Sequence, residues 1–353
     1  MVTKKRDSNL ELYRIIVMIL IVAHHYVVNS GLTDVIQQSP TEVKSIYLYI
    51  FGMWGKIGIN CFVLITGYFM CQSNITLRKF SKLVLWVIFY NVLLYCIFLV
   101  SGKQQFSIKS LINALLPIHN IKDGFVSCFL IFFLNIPFLN ILVENMDKKQ
   151  HTLLLMLSLF VYSIWPQLPY ISVSMNYVIW FCVLYILSSY IRIYNVFEHI
   201  DHKKWGWLTL CSVIVSVLSV VILCFVGYYP YYFVVDSNAV LAVIVSVCAF
   251  MFFKTYPLKY HKWINTVSAS TFGVLLIHAN SDLMRQWLWK DTLNNVGFYA
   301  SNIYLHSVIS VLGVFCICTL IDQLRLRYIE KPLFKVLDAY MVKRGNKFFF
   351  RWI

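Results

Sequence analysis

The sequence predicts an all-α, polytopic membrane protein of about ten transmembrane helices, with both termini in the cytoplasm. Three observations predict it. Hydrophobic residues make up 60% of the 353 and charged residues only 13%, about half the charged share of an ordinary soluble domain. Apolar runs near the length of a bilayer crossing, roughly 20 residues, recur from end to end. Lys and Arg collect in alternate connections, as they do on cytoplasmic loops.

Ten candidate spans lie near residues 11–30, 55–71, 82–101, 125–143, 152–168, 175–195, 206–227, 236–253, 265–281 and 301–322. The second and ninth are the shortest or most polar. Starting with the N-terminus inside, the inner connections are "TKKR", "RKFSK", "DKKQ", "RIYNVFEHIDHKK", "KTYPLKYHK" and the tail from Arg325. They hold about 22 Lys and Arg, and the outer connections about seven. An eleventh span would break this asymmetry. The chain divides into a transmembrane domain, 1–324, and a cytoplasmic tail, 325–353. The tail mixes basic and aromatic residues, the pattern of an interfacial amphipathic helix followed by a basic anchor. The basic "MVTKKRDSN" precedes the first span with no small-residue cleavage site after it, so that span is expected to be retained.

Net charge is +15. In this setting it marks basic loops and anionic headgroups, not nucleic acid, because no foldable soluble module carries a basic patch. The ten cysteines lie almost all within apolar runs and form no C-x-x-C, which points to free thiols acting as small hydrophobes. Neither a G-x-x-x-x-G-K loop, an H-E-x-x-H helix nor a nucleophile elbow is present, so neither metal chemistry nor nucleotide hydrolysis is indicated.

The first span, "NLELYRIIVMILIVAHHYVVNSG", carries Arg14, His24 and His25. Ionisable groups inside a span are costly and face cavities or partners. Arg14 and His25 are eleven residues apart, three turns plus about 20°, so they share a helix face about 16 Å apart along the axis. His24 points about 80° away from that face. Alone, Arg14 reads as a cation snorkelling to the interface, and a lone histidine as a hydrogen bonder between helices. Together on one face they fit a phosphate-binding cation and a general base. A long phosphate-bearing donor such as coenzyme A would span the gap.

These residues resemble the opening block of the acyltransferase-3 family of bacterial integral membrane acyltransferases, which has an Arg, ten residues, then a His. Further blocks resemble the family in order: "GKIGINCFVLITGYF" (Gly55–Phe69), "FLNIPFLNILVE" (Phe133–Glu144), "WFCVLYILSSYIR" (Trp180–Arg192), "SASTFGVLLIH" (Ser268–His278) and "IEKPLF" (Ile329–Phe334). Two departures stand out. Thr66 replaces the serine before Gly67, and the inner loop pairs Arg78 with Lys82 in place of two arginines, which weakens bidentate phosphate binding. Some relatives carry an extracytoplasmic hydrolase-like domain, which is not expected here.

The resemblance implies a multi-pass protein of the bacterial cytoplasmic membrane. It would move an acyl group, most often acetyl, from cytoplasmic acyl-CoA to a hydroxyl of a cell-surface polysaccharide or its lipid-linked precursor. His25 is then the general base and Arg14 the CoA-phosphate ligand, with a covalent acyl-histidine route open as well. Arg78, Lys82, His278, Lys56, Asn60 and Trp180 are the candidate substrate-binding residues. Lys56 and Asn60 share a helix face. His278 reads equally as an interfacial histidine, and Trp180 as a belt tryptophan. Glu330 is expected to bind a basic loop, and Asp236 and Asn238 to cap a helix. Two other classes suit the same features: a transporter or flippase, and a membrane module that binds a ligand without chemistry.

Overall fold

A computed structural model describes residues 8–118, 121, 124–168, 171 and 173–336. Among them there are fifteen α-helices and no strand. The helices are α1 (Ser8–Val28), α2 (Leu32–Gln38), α3 (Val43–Gly52), α4 (Gly55–Met70), α5 (Leu77–Val100), α6 (Ile108–Leu115), α7 (Phe125–Glu144), α8 (Lys148–Leu159), α9 (Tyr177–Tyr194), α10 (His202–Val226), α11 (Val240–Thr255), α12 (Lys262–Ser268), α13 (Thr271–His278), α14 (Asp282–Gln286) and α15 (Ile303–Arg325).

Local chemistry sets the ends. Thr76 accepts from the Lys79 amide ahead of α5, Asp147 and Gln150 form a capping box ahead of α8, and Asp201 caps α10. Helix α10 stops at Gly227, whose φ of 75° suits glycine.

Among the described residues, seven stretches are long and apolar enough to cross a membrane: Ser8–Val28, Val43–Met70, Leu77–Val100, Phe125–Glu144, Tyr177–Tyr194, His202–Val226 and Ile303–Val336. Of the ten expected segments, three fall outside this group. One is α8 with its π and 3-10 continuation to Gln167, one is the sixteen-residue α11, and one is the broken pair α12–α13. The second segment begins earlier than expected, because α3 joins α4. Helix α15 runs on to Val336, so the boundary drawn at 324 falls inside a continuous helix. The tail beyond 336 lies outside the described residues.

Contacts give each segment a direction relative to α1. Gly55, Gly58 and Cys61 of α4 pass His24, Ile21 and Tyr13 in that order, so α4 runs antiparallel to α1. The pair α12–α13 runs parallel to it, with Asn265, Ser268 and His278 meeting Ser8, Glu11 and His25. Helix α15 returns, with His306 at Tyr26 and Gln323 at Ser270. Helix α5 follows α13 through Trp86 on Phe272 and Asn91 on Asn280. Helix α9 follows α4, with Trp180 at Asn60 and Ser188 under Gly67, and α7 follows α9 through Phe125 on Phe181 and Asn140 on Tyr185. Lys148 of α8 sits over Tyr194, at the far end of α9. His202 of α10 lies against Tyr256 just past α11, whose end also meets Asn9. All ten segments therefore alternate in direction.

Two local expectations are corrected. Helix α11 starts after Ala239 with no side-chain cap, and Asn238 instead donates to the Tyr162 carbonyl at 2.6 Å. Arg78 and Lys82 lie in the first turns of α5, not in a loop.

Candidate functional site

Helix α1 carries polar groups at both ends, and the segment Ser268–His278 meets each of them. Near the Ser8 end, Glu11 is 4% exposed. One of its oxygens lies 3.5 Å from Arg14 Nη1, and the other accepts from Ser268 Oγ at 2.5 Å. Glu11 and Arg14 are three apart, one helical neighbour spacing. That spacing is visible in the sequence. Arg14 itself is half-buried.

At the other end, His25 Nδ1 lies 2.9 Å from His278 Nε2, and His278 Nδ1 lies 2.6 Å from the Val274 carbonyl. A carbonyl oxygen only accepts, so His278 Nδ1 bears a proton. In the neutral ring its Nε2 is then an acceptor, and His25 Nδ1 donates to it. The unprotonated nitrogen of a neutral His25 is therefore Nε2, and its lone pair points away from the pair. Val274 lies four residues before His278, so one turn of α13 sets the tautomer of both rings. His278 is completely buried, so its ring faces the bundle interior and not solvent.

His24 faces elsewhere. Its Nδ1 donates to the Gly52 carbonyl at 2.5 Å, and its ring centroid is 5.6 Å from that of His25. The ring packs directly on α4 at Gly55, where any side chain would overlap it. His24 and Lys56 line a cavity of about 210 Å³ walled by Tyr49, Met53, Tyr229 and Tyr231.

Lys56 and Asn60 both face α9, as their spacing predicts. Lys56 donates to Tyr177 Oη at 2.6 Å. Asn60 donates to the Ser237 carbonyl at 2.6 Å and accepts from Trp180 Nε1 at 2.9 Å. Trp180 is fully buried. It is not a belt residue, because its indole N–H finds its partner inside the helix bundle.

Arg78 and Lys82 lie at the Ser8 end of the bundle, apart from the histidines. With Lys79, Lys331, Lys335 and Phe334 they line an open groove of about 570 Å³. Glu330 reaches into it and pairs with Lys82 at 2.5 Å and with Arg325 Nη1 at 2.6 Å. Glu330 thus binds the basic start of α5, as its place before Pro332 suggested. Among the described residues no group of His, Cys, Asp and Glu is arranged to hold a metal ion.

An imidazole with an open nitrogen, oriented by a second buried imidazole among apolar membrane-length helices, can move a proton out of bulk water. That is the equipment of a multi-pass membrane enzyme. The acyltransferase-3 family model, described as an acyltransferase domain, matches residues 7–322, and the chain belongs to this family. It is a membrane acyltransferase. No curated protein and no solved structure matches it.

Proposed function

We propose that the chain crosses the bacterial cytoplasmic membrane ten times with both termini inside. In this reading it transfers an acetyl group from cytoplasmic acetyl-CoA to a hydroxyl of a cell-surface or exported polysaccharide, or of its lipid-linked precursor. The basic asymmetry of the connections and the alternation of the ten segments support the topology. The observation that carries the chemistry is the chain from Val274 through His278 to His25, which leaves His25 Nε2 as the open base.

The donor approaches from the Ser8 end. Arg14 holds one of its phosphates, and the cationic groove with Arg78 and Lys82 meets another. The pantetheine arm then runs along α1 toward His25, about 16 Å deeper. His25 Nε2 takes the proton of the acceptor hydroxyl as its oxygen attacks the thioester carbonyl. The tetrahedral intermediate collapses, the C–S bond breaks, and the leaving thiolate takes the proton from the His25 imidazolium. The products are the acetyl ester and free CoA thiol. His278 keeps accepting from His25 Nδ1–H throughout, so it holds the ring and stabilises the imidazolium without giving up its own proton. Asn60 and Trp180 brace α4 against α9 behind Lys56, which faces the acceptor.

The test is the O-acetyl content of purified surface polysaccharide from cells lacking the protein. The cells are complemented with wild type, His25→Ala or Arg14→Ala at matched membrane levels. Loss on deletion and rescue by wild type alone are expected. Rescue by His25→Ala would sink the assignment of the base.

A further inference from the structure

The cavity beside His24 is separate from the His25–His278 pair, and the His24 and His25 rings are 5.6 Å apart. Its volume of about 210 Å³ is below the roughly 300 Å³ at which sites for drug-sized ligands begin, so it holds one small unit and not an extended chain.

Its chemistry is mixed in a specific way. Tyr49 and Tyr231 stand edge to face with centroids 5.3 Å apart. They are 2% and 7% exposed, and their hydroxyl oxygens are closed to water, so what they give the cavity is an aromatic wall. His24 donates its Nδ1 proton to Gly52, which in the neutral ring leaves Nε2 as an acceptor. Lys56 adds a donor that no carboxylate pairs with among the described residues.

An acyl chain would leave these groups unsatisfied, and a free anion would not use the aromatic faces. A sugar ring has both C–H faces for tyrosines and hydroxyls that donate and accept. Two glycines let the elements around this cavity pack closely. A side chain at Gly55 would displace the His24 ring, and one at Gly52 would press on Tyr231 Oη at 3.0 Å and on Val27.

We infer that this cavity is the acceptor subsite and takes a single sugar ring. His24 Nε2 accepts from one ring hydroxyl, Lys56 donates to another, and a neighbouring hydroxyl is left toward His25. This rests on the acyl-transfer reading for its role, but not for its binding.

The test is saturation-transfer NMR on the full chain in lipid nanodiscs, with the methyl glycosides of glucose, galactose and N-acetylglucosamine as probes. Three variants accompany wild type: His24→Asn, Lys56→Met and, as a control remote from the cavity, Lys203→Ala. At least one glycoside is expected to bind wild type and Lys203→Ala alike, and at least tenfold more weakly to the other two. Both pocket variants are expected to melt near wild type, because an Asn amide at 24 still donates to the Gly52 carbonyl and Lys56 loses a single bond to Tyr177. A merely structural role would lower their melting temperatures and leave binding by the folded protein unchanged. Absence of binding to wild type, or equal binding to the pocket variants, overturns the inference. Pocket-dependent binding with no acetyl transfer by wild type would support the subsite and sink the acyl-transfer reading. Acetyl transfer to a glycoside whose binding the pocket variants leave unchanged would do the reverse.

Discussion

At the scale of single residues, the tautomer chain makes a sharp claim. His278 touches neither donor nor acceptor in the proposed reaction, yet it decides which nitrogen of His25 carries the proton. His278→Ala removes the acceptor for His25 Nδ1–H and leaves the ring free to choose the wrong tautomer. Turnover is expected to fall by about 10²–10⁴-fold, the range for losing a positioned proton-transfer group. The KM for acetyl-CoA should move little, because the donor's phosphates are held at the other end of α1. Steady-state kinetics on purified protein would show it, and a change confined to the donor KM would remove His278 from this role. Helical period and the resemblance to the family's Arg, ten residues, His block made Arg14 and His25 candidates from sequence. His278 could be named as a candidate but not as the partner of His25, because 253 residues separate them and no local rule joins them. Glu11 was legible by its spacing from Arg14. Its bond to Ser268, 257 residues away, was not.

Between elements, close approach decides the packing. In lipid there is little hydrophobic drive between helices, so small residues that let backbones meet take over. Gly67 of α4 lies directly on Ser188 of α9, and a methyl group there would overlap Ser188 Oγ. Gly67→Ala should therefore destabilise by about 1–3 kcal/mol, the usual cost of overpacking. Ser188→Ala in the same chain should restore most of this, since it removes the oxygen that the methyl meets. Thermal melting in detergent by size-exclusion recovery reads both, and no rescue by the second change would mean that the clash lies elsewhere. The same physics explains what the sequence hid at this scale. Long apolar runs announce α5, α7 and α10. The pair α12–α13 is broken at Ala269–Ser270, and its polar residues serve α1, so it reads weakly as a span. Trp180 looked like a belt residue because sequence position cannot show that Asn60 waits for its N–H inside the bundle.

Across the whole molecule, charge is sorted by burial. Arg325 is 6% exposed and joins Asp322, fully buried, to Glu330, while Tyr90 also donates to Asp322. Removing one member leaves an uncompensated buried charge, so Arg325→Ala should cost about 3–5 kcal/mol. Lys82 pairs with the same Glu330, but its side chain is 47% exposed, and such pairs contribute about 0–1 kcal/mol. Lys82→Ala should then leave the melting temperature nearly unchanged and raise the KM for acetyl-CoA, as a lost phosphate contact does. A large fall in melting temperature for Lys82→Ala would place it in the structural network instead of the donor groove.

The alternation of ten segments makes the broadest prediction, because it assigns every connection to a side. Single cysteines at the exposed positions Ser39, Gly102, Gly227 and Ser301 should react with a membrane-impermeant maleimide in right-side-out vesicles. Cysteines at Asn74, Asn145, Asp201 and Lys259, equally exposed in the fold, should react only after the membrane is opened. Labelling is read against the unsubstituted chain to account for its own thiols. The seven longest apolar stretches alone would not give this pattern, since an odd number of crossings puts the two termini on opposite sides. If α8, α11 and α12–α13 failed to cross, Asp201 would share a side with Ser39 and Gly102, and Gly227 and Ser301 would move to the inner side with Lys259. Reaction at Asp201 before opening would therefore remove α8 from the crossings. Protection there and at Lys259, with Gly227 and Ser301 reactive, would mean that a twelve-residue helix with its π and 3-10 continuation and a broken pair of short helices both reach through the bilayer. Packing against their longer neighbours would supply what their own length does not.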